Sequence, residues 1–173
     1  MSIIISSNYK KYYKTYIDFV DHYWINYFKI KKKTFFSIPN ITNYKINSLK
    51  KKVRLIILPG GNDIFSRDKI SKARLKVEFN LIKYAIKKSI PILGVCRGMQ
   101  VINLYFKGRQ NKVAGHMRTK HKIFFKKKIF SKNILNVNSF HNFGIPVKKM
   151  SNKLEVIAVD KGEKVEKFKN KKK

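Results

Sequence analysis

The run Ile90-Pro91-Ile92-Leu93-Gly94-Val95-Cys96-Arg97-Gly98-Met99-Gln100 constrains the fold more than any other part of the sequence. It reads as a buried strand, Ile90–Val95, that turns abruptly at Gly94 into a helix over Arg97–Tyr105. A second apolar run, Val53-Arg54-Leu55-Ile56-Ile57-Leu58, is almost continuously branched, as in a parallel strand covered on both faces. The loop Pro59-Gly60-Gly61-Asn62-Asp63 follows it. Between the two strands, Ser71–Lys88 carries Leu75, Phe79, Ile82 and Ile86 at helical spacing with lysines opposite. Strand, helix, strand and helix, with a loop after each strand, predict an open α/β sheet flanked by helices.

The remaining elements are read around that frame. Ile3-Ile4-Ile5 is a short first strand. Tyr13, Ile17, Val20, Trp24 and Phe28 give an approximate helical stripe over residues 12–28. Thr34–Ile38 is a strand ended by Pro39-Asn40, and residues 41–52 are polar and only weakly periodic, compatible with a short helix. Beyond Gly108 the pattern turns strand-rich, with strands over Lys120–Phe125, Ile134–Ser139, Leu154–Val159 and Lys164–Phe168. A chain of 173 residues, 43% of them hydrophobic, is of single-domain length, so one domain over 1–173 is expected.

Charge restricts partners less than its size suggests. Lysine and arginine number 41 against 9 acidic residues, a net +32. Such a field attracts polyanions without choosing among them. The lysines are spread over every element, with runs at 31–33, 50–52, 126–128 and 171–173, and there is no zinc-finger spacing, RNP sequence or arginine-rich arm. Nucleic acid is therefore expected to bind only non-specifically through the basic surface. Lysines or turn formers interrupt every apolar run before it reaches membrane-spanning or signal length, so a cytoplasmic protein with no membrane partner is expected. One cysteine excludes an internal disulfide framework.

That cysteine, Cys96, stands where a strand gives way to a helix, beside backbone amides that stabilise a thiolate. It is either a nucleophile or an inert core thiol. Arg97 offers its amide to an oxyanion hole or its side chain to an anion. Gln100, one helical turn on, shares a face with Cys96 and could hold a substrate beside the sulfur. Gly60 and Gly61 belong either to a loop that approaches the same site, with Gly61 as second oxyanion donor, or to a plain turn. His141, after Val137-Asn138-Ser139-Phe140, is open to catalytic, substrate-binding or surface roles. His116 and His121 lie in a basic segment with no acidic cluster close in sequence, so neither a metal site nor a cofactor is expected. His22 reads as structural or exposed.

Leu58-Pro59-Gly60-Gly61-Asn62-Asp63, Gly94-Val95-Cys96-Arg97-Gly98-Met99-Gln100 and Val137-Asn138-Ser139-Phe140-His141-Asn142 together resemble the class I glutamine amidotransferase superfamily, in its γ-glutamyl hydrolase branch. The resemblance implies a flavodoxin-like glutaminase fold with a strand-rich extension. It implies Cys96 as nucleophile, Gly61 and Arg97 as backbone oxyanion donors, and Gly60, Gln100, Ser139 and His141 on the substrate side. The His116–Ile123 segment, His141–Gly144 and Trp24 are similar to hydrolases that release glutamate from γ-glutamyl-CDP-amidate during capsular polysaccharide modification. A γ-glutamyl-γ-aminobutyrate hydrolase is the neighbouring alternative.

Members of the family carry their catalytic histidine and glutamate in a late motif, after the segment matching Gly162–Phe168. No such motif occurs in these 173 residues. The chain is accordingly expected to be an incomplete, carboxyl-truncated member lacking the last core strand and helix. It would act as a weak or inactive binding protein alone, or with a complementing carboxyl-terminal fragment.

Overall fold

The computed structural model describes residues 2–44, 46, 52–126 and 133–171. Half of the weakly periodic 41–52 segment lies outside the described residues, as do parts of three of the lysine runs. The chain divides into two compact units, residues 1–102 and 103–173.

The first unit is built on a parallel sheet. Its strands are β1 (Ser2–Ser6), β4 (Thr34–Ile38), β5 (Val53–Leu58) and β6 (Ile92–Gly94), in the order β4-β1-β5-β6. β1 is central, pairing in parallel with both β4 and β5, and all five of its residues are buried. The isoleucine triplet is thus the core of the unit rather than an amphipathic edge. Ile3, Ile5, Ile57 and Phe28 are buried together, with Val20, Trp24, Phe35 and Leu55 packed around them. Phe28 lies between rings, its centroid 5.9 Å from Trp24 and 4.6 Å from Phe35.

The helix expected over residues 12–28 forms only in its second half. Residues Asn8–Tyr12 (β2) and Thr15–Phe19 (β3) make an antiparallel hairpin, and α1 starts at His22 and ends at Ile30. The reversal is made at Tyr13, whose φ of 51° takes the backbone out of the right-handed region. Tyrosine, threonine, isoleucine and phenylalanine dominate β3, and such residues fit a pleated surface better than a helix. Asp21 supplies the helix start, its carboxylate accepting from the Tyr23 N–H at 2.8 Å. The sequence stripe ran through this boundary because Val20, Trp24 and Phe28 do share a core.

α2 (Lys69–Lys88) matches the expected helix, but its buried face is Ser71, Arg74, Val77, Glu78, Leu81, Ile82 and Ala85. Ile86, placed on the apolar side by the sequence, is 52% exposed. Two charged residues take the inner face instead. α3 (Arg97–Tyr105) has the bounds read from the sequence. Among the described residues no helix is long and apolar enough to cross a membrane.

The second unit is antiparallel. A two-residue β7 (Asn111–Lys112) pairs with β10 (Phe143–Gly144). β8 (Met117–Phe125), β9 (Ile134–Phe140), β11 (Leu154–Asp160) and β12 (Val165–Asn170) form a sheet in the order β12-β11-β8-β9. All four strands were legible as apolar or alternating runs.

Phe28 tests the core of the first unit. Replacing it with alanine leaves a ring-sized void between Trp24 and Phe35 and is expected to lower stability by about 3–5 kcal/mol. Tyr23→Ala, one turn away on the outside of α1, is expected to change it by less than about 0.5 kcal/mol. Urea midpoints of the two variants check the contrast.

Candidate active site

Cys96 occupies the bend between β6 and α3 with φ at 51°. A non-glycine residue rarely adopts this left-handed conformation, and it persists only where its surroundings over-determine it. The backbone around it is closely packed. Val95 N–H donates to the Leu58 carbonyl at 2.9 Å, Gly98 N–H to the Val95 carbonyl at 2.9 Å, and Met99 N–H to the Cys96 carbonyl at 3.1 Å. Gly98 sits directly against β5, and a Cβ there would fall 1.9 Å from the Leu58 carbonyl oxygen. Only glycine permits that approach. The Arg97 amide belongs to the first turn of α3, where N–H groups have no intrahelical partner.

Gly60 and Gly61 follow β5, which pairs with β6 in register Leu58↔Gly94. Adjacent parallel strands therefore deliver the glycine loop and the thiol to one end of the sheet. A Cβ on Gly60 would lie 3.3 Å from the Cys96 Cβ and 3.9 Å from its Sγ. Gly61 has φ at 96°, and a Cβ there would meet the Asn8 side chain at 2.9 Å. Cys96 itself is half-buried, and Gln100 is buried on α3 one turn beyond it.

The loop is fastened from below by charges that sequence reading missed. Glu78 is fully buried on α2. Its Oε1 lies 3.0 Å from Arg74 Nε and accepts from Ser6 Oγ at 3.1 Å, while Arg97 Nη1 donates to its Oε2. Arg74, also fully buried, donates through Nη1 to Asn62 Oδ1 at 2.9 Å and through Nη2 to the Gly60 carbonyl at 3.2 Å. Asn62 in turn bonds the backbone of Tyr9 through both ends of its amide, at 3.3 and 3.0 Å. Burial pulls the Arg74 guanidinium down to about 10 although Glu78 opposes the shift, so it stays charged at neutral pH. The Arg97 side chain is thus committed to Glu78 and is not a surface anion ligand. A helical glutamate with arginine at i−4, on an otherwise apolar face, was the available signal.

In the second unit Ser139 and His141 meet a histidine cluster. Ser139 Oγ is buried 3.3 Å from His116 Nδ1, and the His141 N–H donates to the His116 carbonyl at 3.1 Å. The His141 and His116 ring centroids are 4.9 Å apart. Burial, then the neighbouring His116, holds the half-buried His141 imidazole below its usual pKa, favouring the neutral ring. His116 Nε2 lies 3.1 Å from Asp160 Oδ2. The expectation that no acidic group accompanies His116 and His121 fails in space, because Asp160 and Glu166 arrive from β11 and β12.

An α/β sheet with a glycine loop and a strained cysteine at the carboxyl ends of adjacent strands defines a glutamine-amidotransferase-like fold. The solved glutamine amidotransferase of Thermotoga maritima superposes with a TM-score of 0.73 at 16% identity, over 98% of this chain and 71% of that one. The Peptidase C26 model matches residues 5–173, and the chain belongs to that family. The γ-glutamyl-CDP-amidate hydrolase of Campylobacter jejuni is 34% identical over 141 residues, 80% of this chain and 66% of that protein. A glutamine amidotransferase-like protein of Rickettsia prowazekii is 34% identical over 106 residues, 53% of this chain and 38% of that protein. The chain thus spans about two thirds or less of the length of these curated relatives.

Two substitutions probe how the thiol is held. Glu78→Ala leaves two buried guanidiniums facing each other and is expected to cost about 3–5 kcal/mol. Gly98→Ala, which forces β5 and α3 apart, is expected to cost about 1–3 kcal/mol or more. Chemical denaturation measures both, and a stability unchanged by Glu78→Ala would contradict the network.

Proposed function

We propose that the chain is the nucleophile-bearing part of a hydrolase that cleaves γ-glutamyl amide bonds, releasing glutamate. The observation that carries this reading is the left-handed Cys96 at the β6–α3 bend beside Gly60. In the proposed reaction the Cys96 thiolate attacks the γ-carbonyl carbon. The carbonyl oxygen takes the negative charge, stabilised by the Arg97 and Gly61 amides. The C–N bond then breaks, the leaving nitrogen takes a proton, and water cleaves the glutamyl thioester. Gly60 leaves room beside the sulfur, and Gln100, one helical turn beyond Cys96, is proposed to hold the substrate.

The general base and acid are proposed to come from a complementing segment with a histidine–glutamate pair. His116 is paired with a carboxylate as such a base would be, but both of its ring nitrogens are engaged, one by Asp160 and one by Ser139. Without positioned acid–base groups the rate is lower by about 10²–10⁴-fold. The substrate is proposed to be nucleotide-linked, a γ-glutamyl-CDP-amidate used in cytoplasmic steps of capsular polysaccharide modification. The likeness to the Campylobacter hydrolase supports this choice, and the net charge of +32 favours an anionic nucleotide.

Glutamate release is the readout. The chain alone is expected to turn over γ-glutamyl amides slowly and a γ-glutamyl nucleotide amidate fastest among them. A glutamine-like electrophile should label Cys96 at one equivalent, and excess γ-glutamyl amide should slow the labelling. Turnover that survives Cys96→Ala, or labelling that no γ-glutamyl compound slows, would overturn the assignment. Ligand binding without turnover under every condition would make the chain a binding protein instead.

A further inference from the structure

The end of β11 gathers side chains for which glutamyl hydrolysis has no use. One ligand atom from each of His116, His121 and Glu166 lies within 4.8 Å of the others. Their side chains are only 11%, 20% and 13% exposed. In the sheet β8 and β12 are separated by β11, whose last residue, Asp160, pairs with Ile123. Two residues back on β8, His121 looks past the end of β11 toward Glu166 on β12.

These groups do not satisfy one another. His121 Nε2 is 3.6 Å from Glu166 Oε1, too long for a hydrogen bond, and neither ring nitrogen of His121 has a hydrogen-bond partner although both are buried. Leaving such atoms unpaired costs free energy. Asp160 brings a second carboxylate, with Oδ2 at 3.1 Å from His116 Nε2 and Oδ1 accepting from the Lys164 N–H at 2.6 Å. Burial and the nearby Asp160 push the Glu166 carboxyl up to about 7. Burial, then His116, holds His121 below its usual value, as the neutral ring a metal requires. A crowded pair of carboxylates beside an unpartnered imidazole is relieved by a cation.

We propose that His116, His121 and Glu166 bind one zinc-class divalent cation, which clamps β8 to β12 beyond the end of β11. Two imidazoles with one carboxylate suit zinc and its neighbours, whereas magnesium and calcium take oxygen ligands. Ligands at zinc distances lie about 3.4 Å apart in a tetrahedron, so the farthest pair must close by roughly 1.4 Å. Rotation of the long Glu166 side chain and of the unpartnered His121 ring provides that movement, and His116 frees a ring nitrogen by exchanging its contact with Asp160 or with Ser139 for the cation. Asp160 adds local negative charge, and the lysines farther than about 8 Å away are largely screened at physiological ionic strength.

Cobalt(II) titrated into the tag-free full chain is the direct test. One equivalent is expected to give the visible absorption of a low-coordinate nitrogen–oxygen site, and zinc to abolish it by displacement. His121→Ala and Glu166→Gln should each weaken cobalt binding by about tenfold or more. His22→Ala and Cys96→Ala should leave it unchanged. Absence of the spectrum at one equivalent, its survival in both site variants, or its loss in Cys96→Ala would overturn the site. Should either site variant fail to fold by circular dichroism, zinc should protect His116 and His121, but not His22, of the unmodified chain from diethyl pyrocarbonate. Equal modification of all three with and without zinc refutes the proposal.

Discussion

One buried carboxylate organises the first unit of this molecule. Glu78 receives Arg74, Arg97 and Ser6, and through them α2, α3, β1 and the Pro59–Gly61 loop are joined at a single side chain. Burying a carboxylate with two guanidiniums gives little net stability compared with apolar packing of the same volume. What it gives is position. A guanidinium has a fixed planar fork, so each bond Arg74 makes restricts where Asn62 and the Gly60 carbonyl can stand. An aliphatic face would have held α2 as firmly and left the loop undirected.

That positional control is what a strained cysteine needs. A φ of 51° at Cys96 is unfavourable by itself and survives only because flanking contacts cannot be kept in any other conformation. On one side Val95 is bonded to β5; on the other Gly98 is so close to Leu58 that no side chain fits between them. Arg97, the residue immediately after the strained one, is anchored through its side chain to Glu78. The backbone amide of Arg97 therefore cannot rotate independently of α2. The same residue holds the bend closed with its guanidinium and presents an N–H at the helix start.

The sequence made the parallel sheet, α2, α3 and the four long strands of the second unit legible because each carries a contiguous or regularly spaced apolar set, although β6 and β9 leave most of theirs exposed or only half-buried. It misread residues 12–19, where the spacing of Tyr13 and Ile17 matched a helix that begins only at His22. Aromatic and branched residues satisfy either period over so short a stretch, and the sharp turn at Tyr13 has no glycine to announce it. For the site, the local order Gly60-Gly61 and Cys96-Arg97-Gly98 sufficed to bring two loops to one end of the sheet, since adjacency follows from βαβ topology. Asp160 escaped notice because its partner His116 lies 44 positions away along the chain, and Glu78 because Arg97, 19 positions on, is as invisible locally, although Arg74 at i−4 was a signal within reach. A charge whose partner is remote looks, in sequence, like an ordinary surface charge.

The placement of acidic residues carries the same logic further. With only nine of them against 41 basic ones, any acidic group at the surface could be neutralised by many lysines. Glu78 and Asp160 are instead buried, and the Glu166 side chain is nearly so. In water an exposed ion pair contributes about 0–1 kcal/mol, so a surface acid in so basic a chain is weakly constrained. A buried one is strongly constrained, because removing it strands a guanidinium or an imidazole in a medium that cannot solvate it. The composition can therefore drift far toward lysine while these carboxylates hold their places, and the few interior acids mark the structure's polar sites better than the many exterior bases do.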